Sequence, residues 1–203
     1  MLLVLPGAAW ALFDTATGLL ADPTPVWPLM SGLVGYTIAW HFLFRRRWVG
    51  SAFSTLEHEI THSVFALLTF HPVTGMKTTW NQGGHMTFRG DGNWLIFIAP
   101  YFFPTLSVLV CLVRVFLAED QMMWTNTILG ATIAYHALST WKETHLGQSD
   151  IQRVGVGFSF LFLPGANVLS YGLLLGAAVD GSAGVMQFST DLVARTEQLW
   201  AMI

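Results

Sequence analysis

Charge is what this sequence has least of. Asp, Glu, Lys and Arg make up 10% of its 203 residues, against 53% hydrophobic and 14% aromatic side chains, where an average soluble chain carries roughly 25% charged residues. So few charges cannot cover a water-facing surface, which excludes an ordinary cytosolic globule. The supply of apolar surface to bury excludes disorder. A basic surplus is also missing: 9 Lys and Arg against 12 Asp and Glu leave a net charge of -3, which offers no footprint for nucleic acid. The single cysteine, Cys111, excludes a disulfide framework and any cysteine-rich zinc site. Composition thus points to an integral membrane protein whose main contact is the lipid bilayer.

The apolar runs predict an all-α membrane protein of about six transmembrane helices, since a bilayer core asks for roughly 17–25 apolar residues per span. These runs are Leu2–Leu20, Val26–Phe44, Val49–Phe70, Trp94–Leu117, Trp124–Trp141 and Val154–Val179. Pro6 and Asp14 interrupt the first, and Pro164 with Gly165 is expected to break the sixth. The first run lacks the basic flank and small-residue cleavage site of a signal peptide, so it reads as a retained span. Met186–Ile203 mixes polar and apolar residues and reads as an interfacial helix. The connecting segment His71–Gly92 is rich in glycine and is expected to form a short extended or re-entrant loop between the third and fourth spans. Loops are too short for a second domain, leaving one polytopic membrane domain over residues 1–203. The cluster Arg45–Arg47 reads as cytoplasmic, which with six spans places both termini there.

The third span breaks the scarcity of charge. It contains Glu57-His58-Glu59-Ile60-Thr61-His62, ionisable groups midway along a run that should lie in hydrocarbon. Such groups line a cavity, pair with one another or bind something. His58-Glu59-x-x-His62 puts two imidazoles four residues apart on one helix face, so both can ligate one metal. Glu59 lies beside that face, suited to take a proton from an attacking water. Glu57 is off the pattern and reads equally as a partner of a ligand or a cavity-facing residue. A catalytic metal needs a third protein ligand and an open position. The candidates are Asp150, His145, His136, His85 and His71; a carboxylate with two imidazoles would suit zinc. For His136 the simpler reading is packing within the bundle, for His85 and His145 solvation in loops, and for His41 an interfacial position.

Together, the HExxH in a transmembrane run, Gly83-Gly84, Ala99-Pro100-Tyr101 and Ser149-Asp150-Ile151 resemble the site-2 protease clan of intramembrane zinc metalloproteases, in its small bacterial branch without PDZ or CBS insertions. The likeness spans about Leu56 to Ile151, within a metalloprotease core at about 49–163. There is no Leu-Asp-Gly around the proposed aspartate. The resemblance implies one Zn2+ bound by His58, His62 and Asp150, with Glu59 as general base. It also implies a transmembrane protein as substrate and a place in the bacterial cytoplasmic membrane. Lacking a sensor domain, such a protein leaves room for gating by a membrane partner or by a second copy of itself.

Span counting puts Asp150 in an outer loop while His58 and His62 lie deep, so the segment Thr144–Asp150 is expected to dip inward along a wet cavity. The extended piece Gly83–Arg89 could pair with an unwound substrate segment by strand addition, and His85 there could face a developing oxyanion. Gly172-Leu-Leu-Leu-Gly176 fits a close helix-packing motif, and Asn167 could satisfy backbone groups freed by a break. Two other functions use the same residues: a membrane zinc hydrolase of a lipid or small molecule, and a non-catalytic scaffold or transport subunit.

Overall fold

A computed structural model of the chain describes residues 4–21, 26–44, 50–79, 83–118 and 121–202. Within them the backbone is mostly helical, as the apolar runs predict. The order is α1 (Leu5–Ala21), α2 (Val26–Ala39, continued by a π-helical turn Trp40–Phe44), α3 (Gly50–Leu68), β1 (Val73–Thr78), β2 (Gly84–Phe88), α4 (Trp94–Ile98, ending in a 3-10 turn Ala99–Tyr101), α5 (Thr105–Arg114), α6 (Met122–Glu143), α7 (Ser149–Val154) and α8 (Val156–Trp200). The glycine-rich connection is an antiparallel hairpin, with Thr78 opposite Gly84, Lys77 opposite His85 and Met76 opposite Met86. Arg45–Arg47, on which the orientation rests, lies outside the described residues.

Among the described residues one helix, Val156–Trp200, is by itself long and apolar enough to cross a membrane. The pair Trp94–Tyr101 and Thr105–Arg114 passes the same test jointly, bent by 79°. That bend falls between Tyr101 and Thr105, beside Pro104, which precedes α5 and cannot donate a helical hydrogen bond. The Tyr101 carbonyl left at the bend accepts from Asn167 Nδ2 at 2.9 Å, so Asn167 ties the bent segment to α8.

The sixth span departs from expectation. Pro164 lies inside α8 without ending it, and the break comes later, at Asp180 and Gly181 (φ 55°, ψ -129°). Proline removes one hydrogen bond but keeps a helical φ, whereas Gly181 takes a φ that only glycine adopts freely. Past this point the chain folds back. Gly172 abuts Phe188, and Gly176 meets the Gly184 backbone; residues sixteen apart on a straight helix would sit about 24 Å from each other. The tail expected to lie at the interface therefore runs back along the first arm of α8, and the Gly172–Gly176 motif is the seam. The carbonyls stranded by the break are capped from neighbouring helices: Arg114 donates to Ala177 O at 2.6 Å and Asn126 to Ala178 O at 3.1 Å. A cation there also complements the helix dipole. Helix α1 packs along the returning arm through an Arg195–Asp14 ion pair at 2.7 Å, with Arg195 stacked on Trp10.

Two apolar clusters frame the interior. Leu29, Leu129, Ile133, Leu174 and Ala178 join α2, α6 and α8. Ile98, Tyr101, Ile151 and Leu163 join the α4 turn to α7 and α8. The second cluster matters most for the site, because it clamps the residues on either side of Asp150 and Tyr101 against one another.

Candidate metal centre

Helix α3 presents His58 and His62 on one face, as four-residue spacing requires. What the local sequence does not state is how each ring is oriented. His62 Nδ1 lies 2.6 Å from the Ile96 carbonyl. A carbonyl only accepts, so Nδ1 carries the proton and, in the neutral ring, Nε2 keeps its lone pair. The Ile96 carbonyl is free for this because the residue four positions on, where its helical donor would be, is Pro100. His58 is fixed in the same sense: its Nδ1 lies 3.1 Å from Glu143 Oε2, and the other Glu143 oxygen accepts from the Ser54 hydroxyl, one turn earlier on α3.

Both free Nε2 atoms face the same carboxylate oxygen. Asp150 Oδ2 is 3.5 Å from His58 Nε2 and 3.4 Å from His62 Nε2. The three ligand atoms all lie within 4.8 Å of one another. Zinc bonds of about 2.0–2.1 Å in tetrahedral geometry imply ligand separations of about 3.3 Å, and the two distances to Asp150 are close to that. Three acceptors converging on one point are held together only by positive charge between them, and the donor set, two imidazoles and a carboxylate, suits zinc with a further position open. Tyr101 donates to the same Oδ2 at 3.3 Å and packs its ring edge on His58.

Asp150 thus reaches the His58–His62 face of α3, whereas His145, Leu146, Gly147 and Ser149 before it stay exposed rather than dipping inward. Of the other candidate ligands, His85 lines the cavity beside the cluster, and the rest sit elsewhere. His136 is 2% exposed, bonded to Tyr171 at 2.8 Å and to the Pro100 carbonyl, so it braces the proline turn. His145 accepts from the Gly147 amide, and His71 pairs with Thr69. His41 lies in the π-helical turn with its ring against Phe42. Glu57 is buried and meets Thr61 and Thr105 hydroxyls, on the side of α3 facing α5.

A cavity of about 290 Å³ opens beside the cluster, lined among others by Glu59, His62, Asp150, His85, Met86 and Arg153. Glu59, 7% exposed, has no hydrogen-bond partner for its carboxylate among the described residues and borders this space. Strand β2 comes so close that a Cβ at Gly84 would lie 2.6 Å from Glu59 Cγ; only glycine lets the strand pass there. Among the described residues the sheet has two strands, so β2 keeps one edge unpaired there.

Sequence reasoning missed Glu143, the Pro100–Ile96–His62 connection and Arg153. None carries a local signal: Glu143 follows Trp141 and Lys142 at a helix end and reads as an interfacial group, and the rest are tertiary contacts. No family model matches the chain, and no curated protein or solved structure is detectably similar to it.

Proposed function

We propose that the protein is a membrane-embedded zinc peptidase that cuts a peptide bond in or near a transmembrane segment of another protein. The observation that carries this reading is the convergence of His58 Nε2, His62 Nε2 and Asp150 Oδ2 within 4.8 Å of one another, with both distances to Asp150 near tetrahedral spacing, beside Glu59 and an open cavity. A zinc ion bound there supplies Lewis-acid polarisation of water and of the scissile carbonyl. His58 and His62 hold it through Nε2, each ring locked by its Nδ1 bond, and Asp150 completes the set. Glu59 takes the proton of the attacking water and returns it to the leaving amine. β2 offers main-chain donors and acceptors along the cavity to an unwound peptide, which favours a peptide over a lipid.

The membrane setting rests on the low charge content and on large apolar side chains exposed on several helices, among them Ile38, Leu112, Val113, Phe160 and Leu161. A surface of that kind suits lipid rather than water. On this reading the six apolar runs are the spans of a protein like those of the site-2 protease clan that the motifs resemble.

The test compares the wild-type protein with Glu59→Gln on span-length apolar peptides in detergent, with products mapped by mass spectrometry. Glu59→Gln is expected to retain zinc while cleavage falls by about 10²–10⁴-fold, the usual worth of a general base. Undiminished cleavage by that variant would overturn the role of Glu59. Release of fatty acid from phospholipid with no peptide cut would replace the peptidase reading by a lipid hydrolase.

A further inference from the structure

The cavity holds one cation that the hydrolytic chemistry does not use. Arg153 lines the same space as Glu59, His62 and Asp150. It lies on α7 three residues after Asp150, yet the two do not pair, because Asp150 turns its carboxylate to the histidines. The guanidinium sits over the Phe97 ring, 4.1 Å from its centroid. Its one hydrogen-bond acceptor among the described residues is the Asp91 carbonyl at 3.5 Å, long for such a bond. Stacking therefore orients the fork while leaving its N–H groups almost uncommitted.

Charge balance gives this a direction. Among the described residues Arg153 has no carboxylate partner, since Asp150 and Glu143 are turned to the histidines. Arg153 is exposed, so an anion entering the cavity it lines can reach its free N–H groups. A planar guanidinium matches a carboxylate through two parallel hydrogen bonds. We propose that Arg153 sets the specificity of the cleft, which takes a peptide segment bearing a carboxylate near the bond to be cut. The β2 edge holds that segment's backbone from one wall and Arg153 its carboxylate from another. This inference rests on the peptidase reading for its substrate, but the carboxylate site is testable apart from it.

The experiment uses full-length, zinc-loaded protein in detergent and span-length apolar peptides, amidated at the C-terminus, with Asp, Asn or Lys at successive positions. A free-acid version of the Asn peptide separates a chain-end carboxylate from a side-chain one. Retention is measured on Glu59→Gln, which keeps bound peptide intact, alone and combined with Arg153→Gln or Arg153→Glu; cleavage is measured on the wild type. Asp peptides are expected to be retained about ten-fold or more over their Asn counterparts, the order of a charge-assisted hydrogen bond. Arg153→Gln should bring that ratio close to one, and Arg153→Glu should turn the preference to Lys, a gain that a misfolded protein cannot produce. Equal retention of Asp and Asn peptides, or an Asp preference that survives both substitutions, overturns the assignment. Arg153-dependent retention without any wild-type cleavage would sink the peptidase reading and leave the carboxylate site. Cleavage indifferent to peptide charge would sink the site and leave the peptidase.

Discussion

At the scale of single residues, the candidate centre depends on groups that never touch the metal position. Glu143 fixes His58 through Nδ1 at 3.1 Å and is itself held by Ser54. Such partners orient a ligand and raise its basicity, and their loss costs about 10–100-fold in metal affinity. Glu143→Ala is therefore expected to weaken zinc binding by that order in chelator competition, and Glu143→Gln by less, since an amide oxygen still accepts from Nδ1. Equal affinity in all three proteins would show that Glu143 does not position His58. How much of this is legible in the sequence follows from the range of each contact. His58, Glu59 and His62 are readable because the helical period alone puts them together. Asp150 is readable only as one candidate among five, since nothing local brings a post-α6 turn back to mid-α3. Glu143 is not readable at all, because it reaches the cluster from the end of α6; Tyr101 is readable only as part of Ala99-Pro100-Tyr101, and its bond to Asp150 is a tertiary contact.

At the scale of elements, prolines and glycines decide where the helices open. Pro100 leaves the Ile96 carbonyl without its helical donor, and His62 takes that carbonyl. Pro100→Ala would supply an N–H to the same oxygen, so it is expected to weaken zinc binding about ten-fold without lowering the thermal midpoint of the zinc-free protein. A drop in both would mean that Pro100 only shapes the fold; no change in affinity would mean that the carbonyl is not contested. The extended character of the connection between α3 and α4 was legible from its glycine content. The break in α8 was misplaced because proline draws the eye, whereas the backbone turns at Gly181, where φ is 55°. Only tertiary packing of Gly172 on Phe188 and Gly176 on Gly184 reveals that the tail returns along α8.

At the scale of the whole molecule, several of the few charges join distant segments. Arg195 and Asp14 join α1 to the returning arm, Arg114 caps the break in α8, and Glu143 and Asp150 converge on two histidines. Helical class was legible from composition because so apolar a chain must satisfy its own backbone; the order in which its helices pack was not, because it is set by glycine contacts and side-chain caps between distant segments. The account stands on the metal centre that this packing assembles. Its most direct test is the zinc content and X-ray absorption spectrum of full-length protein purified from membranes. The prediction is one zinc per chain with two imidazole nitrogens and a carboxylate oxygen, kept in Glu59→Gln and lost in His62→Ala and in Asp150→Ala. Protein that binds no zinc, or that holds it unchanged after Asp150→Ala, would contradict it.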